Sequence, residues 1–225
     1  MLLNLILVGN LRALLIGTLL GIPAVIICLS FHEAAHGLAA FLMGDRTAQA
    51  SGRLTLDPMA HIDPAGFLCM LLLGFGWARP VPVNFSSFKN RRLGIGITAV
   101  AGPLANFILS FVTYFLMGFF LFRVQNPSNF LQIVYQFLGY IASLSAGLGI
   151  FNLLPVHPLD GSRILDAILP FGAQLKYQNF MRRYGSIVLL IVIALIWYGG
   201  LEILVGGTQS LIYSWALRLA QAVFA

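Results

Sequence analysis

Charged residues are scarce in this chain of 225 residues, where Asp, Glu, Lys and Arg together make up only 9%. A typical soluble domain carries about 25% charged residues. A soluble fold with so little charge would expose large apolar patches, which soluble monomers rarely do. The scarcity therefore excludes a disordered chain and a soluble enzyme, and the apolar fraction of 59% indicates an integral membrane protein.

Cysteine is also scarce, since Cys28 and Cys69 are the only two in the chain. Each lies in an apolar stretch, and the two lack the paired spacing that is typical of a disulfide framework or a metal site. The sequence therefore excludes a secreted disulfide scaffold. We expect both thiols to pack as small apolar side chains.

The sequence is rich in long intervals that contain no charged residue. A helix needs about 20 apolar residues to cross a membrane. Four intervals approach or exceed that length, and they predict transmembrane helices over residues 13–31, 93–122, 130–153 and 184–201. A fifth apolar stretch, residues 67–76, is too short to cross and predicts a re-entrant or interfacial segment.

The C-terminal residues 210–224 form a further apolar stretch, which Arg218 interrupts. A charge in the middle of a span is costly, so we favour a helix on the membrane surface over a short span. Together these elements predict an all-α multi-pass membrane protein with about four transmembrane helices, a short re-entrant or hairpin segment and a C-terminal helix. We expect one domain over residues 1–225, with its core at about 13–170 and C-terminal helices at 184–225.

Lys and Arg residues set the predicted orientation, because they concentrate in cytosolic loops. Of the 13, six lie between the first and second spans and four between the third and fourth, which leaves three for the opposite side. This distribution predicts that both long loops lie in the cytosol and both termini outside. The net charge of +6 then reflects membrane topology, and we expect no nucleic-acid partner.

The residues His32-Glu33-Ala34-Ala35-His36 form an H-E-x-x-H motif directly after the first apolar interval. On a helix, positions i and i+4 share a face, so both imidazoles can bind one Zn²⁺ while the glutamate acts as general base on a water. Ionisable residues at membrane depth are expensive and mark functional sites by default. This location disfavours the alternative, in which two histidines merely cap a helix end at the interface.

A catalytic zinc usually takes three protein ligands, so the motif needs a third from elsewhere in the chain. Asp160 is favoured, because Pro155 and Pro158 break the third span just before it and place its carboxylate near the predicted cytosolic edge. The alternative role for Asp160 is a helix N-cap. The residues alone also leave other candidates open: His157, His61, Asp45, Asp57, Asp63, Asp166 and Glu202.

Several motifs follow one another along residues 14–169: FHEAAHG, GRLTLDPMAHIDP, GWARPVPVN, AGPLAN, and NLLP followed by LDG. In these motifs the chain resembles the site-2 proteases, which are intramembrane zinc metalloproteases, and in particular the compact bacterial kind without a PDZ domain. Two positions depart from the pattern. His157 stands where similar sequences often have Pro, and Asp57 stands where they often have Asn.

The resemblance implies that Asp160 is the third ligand beside His32 and His36, with one Zn²⁺ per chain. It also implies that Asn106 and Asn152 face the active site and help to hold the peptide or its oxyanion. The expected activity is hydrolysis of a peptide bond within or near a transmembrane helix of a membrane-protein substrate, as in regulated intramembrane proteolysis.

The expected location is the bacterial plasma membrane, within the lipid bilayer and with the active site toward the cytosolic leaflet, while the oligomeric state stays open. The alternative function is a membrane protein that binds or transports a metal, or holds membrane clients, without cleaving them. A transporter should show further ionisable groups along a path through both leaflets, and here the outer half has almost none. A non-catalytic relative should have lost Glu33 or a ligand, and this chain retains them.

Overall fold

A computed structural model of the chain describes residues 11–73, 77–197, 199 and 202–224. Within these residues the chain is helical, with connecting loops, a short 3₁₀ turn at Phe85–Ser87 and one isolated β-bridge between Ile62 and Ala78. The helices are α1 (Leu11–Leu42), α2 (Thr47–Ala50), α3 (Pro58–His61), α4 (Pro64–Leu73), α5 (Arg91–Arg123), α6 (Asn129–Leu153), α7 (Asp160–Ile168), α8 (Phe171–Trp197) and α9 (Glu202–Phe224).

Four of these helices are long and apolar enough to cross a membrane, and they agree with the four predicted spans. The membrane-crossing candidates are Leu15–Leu42 within α1, Arg91–Arg123, Asn129–Leu153 and Phe171–Ile196. The predicted all-α multi-pass architecture is thereby confirmed.

Helix α1 continues well past residue 31, where the first predicted span ends, and reaches Leu42. The prediction stopped at the first ionisable residue, whereas the backbone stays helical through the alanines and leucines that follow, which are good helix formers. The helix ends just before Gly44, whose φ of 107° is a conformation that favours glycine. The H-E-x-x-H motif therefore lies inside α1 rather than at its end.

Two other predicted elements differ from the structure in their limits. Helix α8 begins at Phe171, directly after Pro170, whereas the predicted span began at 184, after the last basic residue. The apolar stretch 67–76 lies mostly in α4, and residues 74–76 fall outside the described part of the chain. The ten residues of α4 rise about 15 Å, which is half the thickness of a membrane core.

Helix α5 forms the centre of the bundle and contacts α1, α6, α7 and α9. Its buried positions recur every three or four residues, so they form one stripe along the helix. Most of them are small or weakly polar: Gly94, Thr98, Ala99, Gly102, Pro103, Asn106, Ser110, Thr113 and Gly118. Small side chains let helix backbones approach closely, which is how helices associate where water supplies no driving force.

Helix α9, which contains residues 210–224, packs against α5 and α6, and it is not one of the four membrane-crossing candidates among the described residues. Ala216 and Ala220 are fully buried, and Ala220 lies against Gly118 of α5. The ring of Tyr213 contacts that of Tyr114, with 5.2 Å between ring centroids. The row of small residues explains this packing, because it gives α9 a face that lies closely on α5, while Arg218 stays on the exposed face.

Residues 79–84 form an extended segment between α4 and α5, and its backbone is held by side chains from the rest of the chain. The buried guanidinium of Arg53 donates hydrogen bonds to the carbonyls of Arg79 (2.7 Å) and Pro80 (3.1 Å). Hydrogen bonds from a charged donor are among the stronger ones in proteins. The segment therefore keeps a fixed path beside the end of α1.

Asp45 provides a second anchor for this segment. Its carboxylate is buried after the end of α1 and accepts hydrogen bonds from the backbone N–H of Asn84 (2.7 Å) and of Thr47 (3.0 Å). Burial alone would raise the pKa of Asp45, but these hydrogen bonds and that of the Thr47 hydroxyl outweigh it and hold the pKa below its usual range. The carboxylate therefore stays ionised and ties the segment to α1.

Candidate active site

His32 and His36 lie one turn apart on the same face of α1, as the H-E-x-x-H spacing requires. Their rings meet edge to face, with 4.6 Å between centroids, and their Nε2 atoms are 3.0 Å apart. Both side chains are buried. Two nitrogen atoms that converge in a buried place are suited to share one cation.

Asp160 reaches these histidines from the first residue of α7. Its Oδ2 atom lies 3.1 Å from Nε2 of His32 and 3.1 Å from Nε2 of His36. Burial opposes ionisation of this carboxyl group, but the hydrogen bonds with both histidines outweigh it, so the pKa of Asp160 lies well below its usual range. The site therefore contains a buried carboxylate between two imidazoles.

Glycine at position 161 lets α7 start close to the end of α6. A Cβ atom at Gly161 would lie 2.2 Å from the carbonyl oxygen of Leu153 and 2.4 Å from that of Leu154. Any other residue would push the two backbones apart and would move Asp160 away from the histidines. The LDG motif is thus explained by the close approach that its glycine permits.

Gly102 plays a corresponding part on α5. A Cβ atom there would lie 2.4 Å from Nε2 of His36 and 2.7 Å from Nε2 of His32. The backbone of α5 therefore forms one wall of the cluster, directly against the two nitrogen atoms. The sequence alone does not reveal this role, although Gly102 is the second residue of the AGPLAN motif.

The donor set and its spacing suit a zinc ion. The atoms of His32, His36 and Asp160 are 3.0 to 3.1 Å apart. Ligands at 2.0–2.1 Å from a tetrahedral zinc are separated by about 3.3 Å, so small movements bring the three atoms into place. Two imidazoles and one carboxylate are also a common ligand set of catalytic zinc, which keeps a fourth position for water.

The far nitrogen of each histidine also has a partner. Nδ1 of His36 lies 2.7 Å from the backbone carbonyl of Thr98 and donates a proton there, so in the neutral ring Nε2 is the nitrogen that is free to bind a metal. Nδ1 of His32 lies 3.1 Å from the side-chain amide of Asn106, which is completely buried. Helix α5 thus orients both rings, through a carbonyl in one case and a side chain in the other.

Glu33 lies beside the cluster and contacts the extended segment of residues 79–84. Its Oε2 atom accepts a hydrogen bond of 2.9 Å from the backbone N–H of Val81. The side chain is half-buried, so the segment that Arg53 and Asp45 anchor also orients this carboxylate. Nothing in the local sequence predicts this contact, because 48 positions separate its two residues.

The other candidate ligands lie elsewhere. His61 is buried and donates from Nε2 to the carbonyl of Thr55, while Asp57 caps α3 and His157 is exposed in the turn before α7. Among the described residues, His32, His36 and Asp160 form the one group of three such side chains that could hold a metal. Asn152 donates to the carbonyl of Leu148 within its own helix (3.0 Å).

Comparison with known proteins identifies the family. The sequence model of peptidase family M50 matches residues 120–197, which include Asp160. Twelve curated proteins also match the chain. "Putative zinc metalloprotease YwhC" of Bacillus subtilis is 40% identical over 168 residues, which are 74% of this chain and 76% of that protein.

More distant relatives match shorter parts of the chain. "Zinc metalloprotease MJ0392" of Methanocaldococcus jannaschii is 40% identical over 107 residues, and "Putative zinc metalloprotease Rip3" of Mycobacterium tuberculosis is 33% identical over 111. These matches cover about half of this chain but only 28% and 26% of the two relatives. No solved structure matches the chain. Because YwhC is matched over three quarters of its length, the chain belongs to peptidase family M50, the site-2 proteases, and is an intramembrane zinc metalloprotease.

Proposed function

We propose that this protease holds its zinc on His32, His36 and Asp160 and uses Glu33 as its general base. One observation carries the assignment: three buried donor atoms converge to within 3.0–3.1 Å, although 124 positions separate His36 from Asp160. A buried cluster of this kind is costly unless its members are paired or bind a metal. The contact of Thr98 with His36 supports the same assignment, because it keeps the proton of a neutral His36 on Nδ1 and so leaves Nε2 free for a metal.

The catalytic residues divide the work of hydrolysis. Zinc, when bound, supplies a Lewis acid and lowers the pKa of a water to about 7. Glu33 takes a proton from the attacking water and later delivers it to the leaving nitrogen. The N–H of Val81 holds Oε2 of Glu33, which leaves the other carboxylate oxygen, Oε1, to accept the proton.

The substrate in this proposal is a transmembrane helix of another membrane protein. His32 and His36 lie on a membrane-crossing candidate, Leu15–Leu42, so the peptide bond has to be presented at membrane depth. A helical substrate has its carbonyls in internal hydrogen bonds and must unwind locally before attack. Asn152 can exchange its bond with Leu148 for one with the unwound peptide.

The active site faces the cytosolic leaflet of the plasma membrane in this proposal. The basic loops support the orientation, since Arg53 contacts the segment that holds Glu33 and Arg79 belongs to it. Arg92 donates to the carbonyl of Ile168 at the end of α7 (2.7 Å), which places another cation at the same end of the bundle. Reporter fusions at Ser87 and Gln174 should report the cytosol and a fusion at Ser128 the outside; an outside signal at Ser87 would reverse the orientation.

A pair of variants tests the proposed chemistry. Glu33→Gln should retain zinc and bind a model transmembrane substrate but lower cleavage by about 10⁴-fold or more, because only the base is lost. Asp160→Ala should weaken zinc binding, because it removes a ligand. Zinc content and cleavage are measured on the same preparations, with Asp57→Asn as a control carboxylate outside the cluster. Wild-type cleavage by zinc-loaded Glu33→Gln would refute the mechanism and would favour a protein that holds clients without cutting them.

A further inference from the structure

The two histidines of the cluster are oriented by different kinds of group. His36 has the backbone carbonyl of Thr98 at its Nδ1, and a carbonyl can only accept. His32 is next to the side-chain amide of Asn106, whose Nδ2 lies 3.1 Å from Nδ1 of the ring. An amide can present either its oxygen or its nitrogen, because a half-turn of the group exchanges them. The chemistry at His32 depends on which atom faces the ring.

A metal on Nε2 of His32 requires an acceptor at Nδ1. A neutral imidazole carries one proton, so a ring that binds a metal through Nε2 has that proton on Nδ1 and donates it. The NH₂ group of Asn106 would place a second donor against this proton, which is unfavourable, whereas Oδ1 would accept it. Metal binding through Nε2 therefore requires Oδ1 of Asn106 to face His32.

Ser145 on α6 is compatible with the same orientation. Its hydroxyl donates to the backbone carbonyl of Asn106 at 2.9 Å, and that donation uses its single proton. The hydroxyl also lies 3.5 Å from Oδ1 of Asn106, which at that distance accepts only weakly from it. When a half-turn of the amide exchanges its two ends, the NH₂ group faces the serine oxygen, which can accept from it, and the amide oxygen faces His32.

We propose that Asn106 is a positioning residue for the metal, whose side-chain oxygen accepts the Nδ1 proton of His32 and so holds Nε2 toward Asp160. This inference rests on the proposed assignment of His32 as a ligand. It differs from the role that the resemblance implies, contact with the peptide. Asn106 is completely buried and lies on the Nδ1 side of the ring, opposite the edge that faces Asp160.

Zinc affinity, measured by competition with a chromogenic chelator in detergent, tests this role without reference to cleavage. Asn106→Leu keeps a side chain branched at Cγ but has no acceptor, and we expect about 10- to 100-fold weaker zinc binding. Asn106→Asp keeps an acceptor, and a carboxylate behind a metal-bound histidine is a common arrangement, so affinity should stay within about threefold of wild type. Ser145→Ala, a milder change if Asn106→Leu fails to fold, should weaken affinity by a smaller factor.

Ser110→Ala provides the matched control. Ser110 is also fully buried on α5, one turn further along, and donates to the carbonyl of Ala142 at 2.8 Å, so its loss removes a similar hydrogen bond remote from the histidines. It should leave zinc affinity unchanged. The absorption spectrum of the Co²⁺-substituted protein should change in Asn106→Leu and remain as in wild type in Asn106→Asp and Ser110→Ala.

Two results would overturn the inference in distinguishable ways. If wild type binds zinc and Asn106→Leu binds it equally well, then Asn106 does not position His32, although the zinc site stands. If wild type itself binds no zinc, the proposed function fails and this inference fails with it. Failure of Asn106→Asp to restore affinity in a folded protein would show that the acceptor is not what matters.

Discussion

Helix α5 carries two glycines against which other parts of the bundle pack closely. A Cβ atom at Gly102 would lie 2.4 Å from Nε2 of His36, and one at Gly118 would lie 2.3 Å from Cβ of Ala220 on α9. The first glycine lies in residues 91–106, which we call the site half of α5, and the second in residues 110–123, the distal half. In both halves the glycine leaves space for a close contact. The space is taken by metal-binding side chains in the site half and by a neighbouring helix in the distal half.

The two halves also differ in what their buried polar groups do. In the site half, Thr98 and Asn106 contact the histidines of α1. In the distal half, Thr113 bonds back to the carbonyl of Leu109 in its own helix, and the surrounding cluster is apolar or aromatic: Tyr114, Met117, Ala142 and Ala216. Packing in the distal half therefore stabilises the fold, whereas packing in the site half orients the two histidines.

Gly102→Ala should have the largest effect of the changes compared along α5. The added methyl group would force both imidazoles out of position, and we expect zinc affinity to fall by about 100-fold or more and cleavage to be lost with it. The fold should survive, because alanine favours a helix over glycine by about 1 kcal/mol. Zinc affinity and circular dichroism on one preparation check this, and unchanged affinity would contradict the close approach of α5 to the histidines.

Gly118→Ala is the matched change in the distal half. Its methyl group would meet Ala220, which cannot move aside as a long side chain can, so overpacking should cost about 1–3 kcal/mol, partly offset by the gain in helix propensity. We expect a lower thermal unfolding temperature and a wild-type zinc affinity. Loss of zinc from this variant at temperatures where it is folded would show that the two halves are coupled.

Asp45→Asn should have a smaller effect that depends on pH. Asparagine has one accepting oxygen where aspartate has two, so one of the two backbone N–H groups loses its acceptor, and an unpaired buried donor costs about 1–3 kcal/mol. The folded protein holds the pKa of Asp45 below its unfolded value, so its contribution to stability is present above about pH 4 and is lost as the pH falls through the folded pKa.

The difference in unfolding temperature between wild type and Asp45→Asn should therefore be largest near pH 7 and shrink below about pH 4. Asp57→Asn is the control, because asparagine caps a helix about as well as aspartate does. A difference that stays constant from pH 7 to pH 3 would mean that the charge of Asp45 is irrelevant.

The sequence predicts the number and class of the long helices, because the apolar length that a membrane requires is visible in any single segment. It misplaces their ends, since charge marks where an apolar stretch stops and not where the backbone stops being helical. Helix α1 continues through His32, and α8 begins before Arg182 for this reason. The packing of α9 was missed because a row of small residues shows its use only beside its partner.

The residues of the site also fall into those that the sequence predicts and those that it does not. His32, Glu33 and His36 are predicted by spacing within one helix turn, whereas the residues alone make Asp160 only the favoured one of several candidates, and the resemblance then implies it as the third ligand. The contact of Asn106 with His32 has no local signal, because 74 positions separate the two residues. The importance of Gly102 is equally hidden, since a glycine does not reveal what occupies the space beside it.

X-ray absorption at the zinc edge of the purified, zinc-loaded protein shows whether His32, His36 and Asp160 hold the zinc. We expect nitrogen and oxygen ligands only, at about 2.0–2.1 Å, with the outer-shell scattering of two imidazoles. Asp160→Ala should change the oxygen contribution and leave both imidazoles. Two results would contradict this ligand set. One is a sulfur ligand at about 2.3 Å, which Cys28 or Cys69 would supply, and the other is a spectrum that Asp160→Ala leaves unchanged.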